Sequence, residues 1–227
     1  MVKKIQAELV SINDRGNDVY TLEFRPEGRS VRFSPGQFLH LALDAYDPSS
    51  GWPESRCFSL QSSPDEATIR LTYAVKGVFT RRMADELRQG AVVSLKIPYG
   101  ELFTQAHSRH RAQFLAGGTG ITPFLSLFTD RSFQTYTQTR LFFGVRTEEH
   151  DFYRLELRRA KEINPEFEIR RYVQDRDGLI DGDEVLRRGD EESCYFISGP
   201  PKMIAYFREY LAGNGVAPDR VKTDDWE

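Results

Sequence analysis

Cysteine is scarce, with only Cys57 and Cys194 in 227 residues, far apart in the chain. An iron–sulfur cluster held entirely by cysteine needs four thiolates, so the chain carries none of its own, and a disulfide is not expected in a reducing compartment. Histidine is nearly as sparse. Of the four, His107 and His110 share the polar stretch 105–111, which reads as an interdomain linker with solvated side chains and no metal site. No long apolar run follows Met1, Val2, Lys3 and Lys4, so neither a signal peptide nor a membrane span is expected, and the expected location is the cytoplasm. Charge of one sign is lacking too: 31 basic against 34 acidic residues, net −3, gives no bias toward nucleic acid. Internal repeats and low-complexity segments are absent. An apolar content of 39% supports a sizeable core, and the length suits two domains of about 100 to 120 residues each.

The most informative stretch present is Gly117-Gly118-Thr119-Gly120-Ile121-Thr122-Pro123. Residues 112–116 before it read as a short buried strand, and residues 124–128 after it have the apolar density of a buried helix. Three glycines in four residues permit a sharp turn and close approach to a ligand, and Pro123 suits a helix's first turn. Unpaired N–H groups and the positive end of the helix dipole then favour a phosphate. Two familiar cradles are excluded. No Gly-Lys-Ser/Thr ends the loop as a Walker A motif needs, and Pro123 stands where the dinucleotide fingerprint wants its third glycine.

The first half of the chain has the pattern of antiparallel sheet. Residues 5–12, 19–24, 38–43, 56–60, 68–75 and 92–97 are rich in β-branched and aromatic side chains and are separated by Gly, Pro, Asn and Asp. Six such strands suggest a small barrel, interrupted by one helix over 81–88, with Thr80 as its cap and Gly90 just past its end. From residue 112 strand and helix alternate: strands over 140–145, 167–173, 193–198 and 216–223, helices over 151–163, 183–188 and 202–212. Alternation of this kind builds a parallel, Rossmann-like α/β sheet with ligands at the carboxyl ends of its strands. The expected domains are therefore an antiparallel six-stranded β-barrel over 1–106 and an α/β domain over 111–227.

Three further stretches carry candidate chemistry. In Arg56-Cys57-Phe58-Ser59-Leu60, alternation sets Arg56 and Phe58 on one side of a strand and Cys57 and Ser59 on the other. A guanidinium, a ring and a hydroxyl so placed suit a flat anionic ligand. Tyr73-Ala74-Val75-Lys76-Gly77-Val78-Phe79-Thr80 again runs from a strand through a glycine into a helix, a second anion cradle. Ile197-Ser198-Gly199-Pro200-Pro201-Lys202-Met203 repeats the arrangement at a third strand end.

In this order the motifs resemble those of the ferredoxin–NADP reductase superfamily of flavoproteins, whose members carry Arg-x-Tyr-Ser on a barrel, Gly-x-x-Ser/Thr at a helix start, Gly-Gly-x-Gly-Ile-Thr-Pro, and Cys-Gly-Pro-x-x-Met. The resemblance runs from Pro35-Gly36-Gln37-Phe38 to the last strand. It implies that Arg56 binds a flavin phosphate, Phe58 covers the isoalloxazine, and Ser59 lies near the flavin N5 that receives hydride. Cys57 lies within the same flavin-binding run. Val75, Gly77, Val78, Phe79 and Thr80 would surround the pyrophosphate of FAD. Gly118, Thr119, Gly120 and Thr122 would hold that of the nicotinamide nucleotide, and Ser198, Gly199, Pro200 and Met203 would flank its nicotinamide. Two departures stand out. Phe58 replaces the usual tyrosine, keeping stacking without the phenol, and Ser198 replaces the usual cysteine with a hydroxyl.

The implied activity is hydride transfer between NAD(P)H and FAD, with electrons passed to or from a small acidic carrier such as ferredoxin or flavodoxin. Arg81, Arg82 and Arg88 are placed to steer such a carrier. The alternatives are a reductase of free flavins or of an oxygenase, and a nucleotide-binding module that has lost turnover. FMN remains an alternative to FAD. Arg146 and Arg176 suit the 2′-phosphate of NADPH, whereas Glu148 and Glu149 suit the free ribose of NADH, so the nucleotide is left open. Trp226 is an aromatic near the carboxyl terminus that the resemblance would stack on the flavin or the adenine of FAD.

Overall fold

The computed structural model describes residues 1–28 and 31–223. It divides into two compact units, Met1–Glu101 and Leu102–Glu227. The boundary falls ahead of residues 105–111. That stretch belongs to the second unit, where Leu102 is buried in the core with Phe103 packed against it, and His107 is hydrogen bonded to Tyr136 at 2.6 Å.

The first unit holds six strands, β1 (Lys3–Asp14), β2 (Val19–Pro26), β3 (Phe38–Ala42), β4 (Ser55–Ser59), β5 (Ile69–Ala74) and β6 (Val92–Tyr99), and one helix, α1 (Val78–Glu86). They form one antiparallel sheet in the order β4-β3-β6-β1-β2-β5. Its edges approach each other just past β4, where the Gln61 N–H donates to the Arg70 carbonyl at 2.9 Å, so the sheet is a nearly closed barrel. Alternation sends Leu39 and Leu41 of β3 inward, where they meet Leu9, Leu22, Phe24, Leu71 and Leu95. His40, between them, faces outward and lies 3.6 Å from the sulfur of Cys57, its cross-strand partner.

The second unit is a parallel sheet of β7 (Ala112–Gly117), β8 (Arg140–Val145), β9 (Glu168–Val173), β10 (Cys194–Ser198) and β11 (Val221–Thr223), in the order β11-β10-β7-β8-β9. Helices α2 (Thr122–Phe128), α3 (Arg154–Ile163), α4 (Gln174–Asp177), α5 (Gly182–Arg188) and α6 (Pro201–Gly213) join and follow the strands. The strands are apolar throughout because both sheet faces are covered. Phe114, Phe143 and Phe196 belong to a core shared with α2 and α3, and Leu115, Phe142 and Ile197, their immediate neighbours in sequence, to a core shared with α5 and α6. The last strand is shorter than the expected 216–223, since Pro218, lacking an N–H, opens a 3-10 turn before it. Among the described residues no helix is long and apolar enough to cross a membrane.

Candidate functional site

The strand order of the second unit reverses beside β7: the chain proceeds outward through β8 and β9, then returns to lay β10 on β7's other side. At such a reversal the loops leaving two neighbouring strands diverge and open a crevice at their carboxyl ends. The two glycine turns of the sequence meet there. A β-carbon at Gly120 would lie 2.6 Å from the Gly199 nitrogen and 2.6 Å from the Ser198 carbonyl oxygen; one at Gly117 would lie 2.8 Å from Pro200 Cδ and 2.9 Å from Met203 Sδ. These two glycines therefore admit the neighbouring turn. Gly118 differs: its φ of +54° is in the left-handed region and its surroundings are open to 4 Å, so the backbone there is free to approach a ligand.

Residues 118–121 form a 3-10 turn that leads into α2, and the Thr122 hydroxyl donates to the Thr119 carbonyl at 2.9 Å. All seven residues of α2 are buried, which anchors the turn to the core. Gly117 and Gly120 are thus brought together with Gly199, Pro200 and Met203, across some eighty residues of sequence, and Thr119 and Thr122 belong to the same turn. Ser198 is buried at 3% exposure on β10.

In the first unit the start of α1 and the strand β4 supply a second arrangement. Gly77 caps α1, and Thr80 acts from inside the helix: its hydroxyl accepts the N–H groups of Lys76 (2.9 Å) and Gly77 (3.1 Å). Thr80 is therefore not the cap, and the helix begins at Val78 rather than residue 81, because a threonine at the third helical position can reach back to the cap's N–H. The N–H groups of Val78, Phe79 and Thr80 have no carbonyl one turn earlier within the helix and point out of its amino terminus. The Arg56 guanidinium lies 5.1 Å from the Phe79 ring centroid, within cation–π range, and pairs with Glu54 at 2.9 Å. A cavity of about 470 Å³ is lined by Val75, Lys76, Gly77 and Val78 together with Arg81, Arg82, Asp85 and Glu86. Orphan N–H donors, an arginine and an adjoining cavity fit the diphosphate of a dinucleotide.

The remaining residues of this run are placed differently. Phe58 is only 8% exposed and meets Tyr73 edge-to-face at 6.1 Å, so most of its ring serves the barrel core. Burial raises the Tyr73 phenol well above its ordinary value, and the nearby Tyr20 adds to the shift. Ser59 is buried, and Cys57 faces away from Phe58 toward His40. Of the three arginines expected to steer an acidic carrier, Arg81 and Arg82 are paired with carboxylates and Arg88 is held by backbone carbonyls. Arg81 pairs with Asp18 (3.6 Å), Arg82 with Asp44 (3.1 Å) and Glu86 (2.9 Å), and Arg88 donates to the Asp85 carbonyl at 2.8 Å. The charges of Arg81 and Arg82 are thus offset by neighbouring carboxylates, whereas that of Arg88 is not offset by the neutral carbonyl it bonds.

At the outer end of the parallel sheet, Arg146 is exposed just after β8, and Arg176 on α4 is held by Glu148 (2.6 Å) and Asp177 (3.0 Å). These bonds, Asp177's first, raise the Arg176 guanidinium further and hold the Asp177 carboxyl below its ordinary value. This pairing was not legible in the sequence pattern, since residues 148 and 176 become neighbours only when β9 aligns beside β8. Trp226 lies outside the described residues.

Residues 114–209 match the family described as the oxidoreductase NAD-binding domain. A Methanopyrus kandleri protein named "Probable dihydroorotate dehydrogenase B (NAD(+)), electron transfer subunit" is 38% identical over 126 residues, 56% of this chain and 44% of that protein. Ferredoxin--NADP reductase B of Sorangium cellulosum is 28% identical over 243 residues, covering 98% of this chain and 97% of the relative. The chain spans about half the length of several other curated relatives it matches. Among solved structures, a ferredoxin NADP+ reductase from Neisseria gonorrhoeae with bound FAD and NADP superposes with a TM-score of 0.82 at 18% identity, covering 98% of both chains. A barrel followed by a doubly wound sheet, the oxidoreductase NAD-binding domain matched over residues 114–209 and these relatives together support the resemblance to the ferredoxin–NADP reductase superfamily.

Proposed function

We propose that the chain is an FAD-dependent reductase that takes hydride from NAD(P)H and passes electrons to a protein partner. The observation that carries this reading is the meeting of the Gly117–Gly120 and Ser198–Met203 turns where the parallel sheet reverses its strand order. Bound FAD would supply what no side chain can, accepting two electrons as hydride and releasing them singly. The chain's own part is to hold and align. Arg56 and the free N–H groups of Val78, Phe79 and Thr80 would take the flavin diphosphate, with Val75 and Gly77 lining its cavity. Gly118, Thr119, Gly120 and Thr122 would take the nucleotide's diphosphate. Ser59 and Ser198, as hydroxyls, would hydrogen bond the reacting ends, and Gly199, Pro200 and Met203 would set the position of the nicotinamide. Phe58 offers the flavin the small part of its ring that the core leaves exposed.

The partner is a ferredoxin-like carrier or an oxygenase component. Because the arginines of α1 are compensated, recognition of an acidic carrier would draw on other basic side chains. The test is direct. The purified protein should be yellow, release FAD on denaturation, and bleach anaerobically with NADH or NADPH; it should then reduce a ferredoxin faster than free flavin. A folded but colourless protein that takes up no flavin and oxidises neither nucleotide overturns the reading. Release of FMN would correct the cofactor, and faster reduction of free flavin would assign the chain to the free-flavin reductases.

A further inference from the structure

The outer face of the barrel carries a row of reactive side chains that neither cradle uses. Cys57 of β4 pairs with His40 of β3, and His40 pairs on its other side with Lys96 of β6. All three are half-buried. The Cys57 sulfur lies 3.6 Å from both ring nitrogens of His40, so whichever tautomer the neutral ring adopts, a bare nitrogen stands beside the thiol. Burial, and then Lys96, lower the imidazole below its ordinary 6.5, so at pH 7 most of it is neutral and has that lone pair to offer. The ring is held in place by Tyr99, which meets it edge-to-face at 4.7 Å, and by Phe38 at 5.8 Å. Lys96 lies 4.5 Å from the Trp52 ring centroid and makes no ion pair among the described residues. Glu54, just before β4, is taken up by Arg56 at 2.9 Å. The thiol is thus faced by an imidazole and an ammonium, with no carboxylate shifting that imidazole.

We propose that Cys57 is a modification site, a thiol activated by His40 and Lys96 that hydrogen peroxide oxidises to a sulfenic acid. His40 accepts the thiol proton, and the nearby ammonium of Lys96 favours the thiolate over the thiol. The thiolate sulfur attacks one peroxide oxygen, so that an S–O bond forms as the O–O bond breaks. Sulfur gives up two electrons and the peroxide takes them. The departing hydroxide recovers the proton from His40 and leaves as water, and the imidazole returns to its neutral form. The other cysteine has none of these features. Cys194 is 3% exposed, and burial above all pushes its thiol up to about 11. Arg56 and Phe58 lie on the opposite side of the same strand, so the chemistry at Cys57 depends on barrel side chains alone and does not rest on the flavin reading.

The test treats the full chain with hydrogen peroxide at pH 7, traps sulfenic acid with dimedone and locates the adduct by peptide mass spectrometry. Cys194 is the control within each molecule. The adduct should form on Cys57 and not on Cys194. Alkylation of Cys57 by iodoacetamide, followed against pH, should have its midpoint about one unit or more below the roughly 8.5 of an ordinary cysteine. A thiol of that ordinary value is about 3% ionised at pH 7, and one at about 7.5 is about a quarter ionised. His40→Gln should therefore slow the oxidation of Cys57 by about eightfold or more, and Lys96→Met should slow it by about threefold. Circular dichroism checks that each variant is folded, and the wild-type midpoint decides the matter by itself if one is not. Labelling of Cys57 no faster than that of Cys194, a midpoint at or above about 8.5, or an unchanged rate in either folded variant would overturn the inference.

Discussion

A β-carbon on Gly120 would sit 2.6 Å from a backbone nitrogen and a backbone oxygen of the next turn, and neither can rotate away as a side chain would. Gly120→Ala should therefore separate the two turns, at a cost of about 1–3 kcal/mol typical of overpacking. Gly118→Ala meets no atom within 4 Å and bears only the left-handed φ of +54°, about 1–2 kcal/mol. The variants should also differ in kind. Urea unfolding of both, with NAD+ titration, should show Gly120→Ala losing nucleotide affinity beyond its loss of stability, because it displaces Gly199 as well. Equal loss of affinity in both would mean that the contact between turns has no bearing on binding. The three glycines were visible in the sequence as a turn suited to a phosphate. That two of them exist to admit Ser198, Gly199, Pro200 and Met203 was not, because the reason lies eighty residues away on the adjoining strand.

Among elements, the strands were the most legible. Strand β8 coincides with residues 140–145 because a run apolar on both faces has one solution here, a central strand of a covered parallel sheet. Helix α1 was less so. Thr80 looked like a cap because threonine often is one, but its hydroxyl works from the third helical position, and the start moved to Val78. Thr80→Val keeps the shape and removes the acceptor that two N–H groups share. It should lower the protein's stability by about 1 kcal/mol, the usual scale for a lost cap, and weaken flavin retention, while Thr80→Ser restores both. Thermal melting and flavin dissociation on dilution would measure the two effects. Flavin retention unchanged in Thr80→Val would detach this helix start from the cofactor site.

For the whole molecule, the change from antiparallel to parallel sheet was readable from where strands begin to alternate with helices, but the boundary between the units was not. Polar composition marked 105–111 as a linker; burial of Leu102 and the hydrogen bond between His107 and Tyr136 put that stretch in the second unit. This placement gives the fold a pH dependence. Burial, aided by Arg109 and Lys222, lowers the His107 pKa below its ordinary 6.5, against an opposing hydrogen bond to the Gln105 carbonyl. His40 in the first unit is lowered in the same direction, by burial and then by Lys96. A group that is harder to protonate when folded takes up more protons in the unfolded chain, so its stabilising effect is complete above pH 6.5 and is lost as the pH falls through and below that value. Carboxylates held low by their partners, Glu168 by Arg140 and Asp177 by Arg176, add their loss only further down, below their ordinary 4.5 and 3.8. The interval from pH 6.5 to 5 is therefore governed by the histidines. Melting temperature should fall across it in the wild type and fall less steeply in His107→Gln and in His40→Gln. Removing both should flatten the profile down to the carboxylate range, and a double variant with the wild-type slope would place the titrating groups elsewhere.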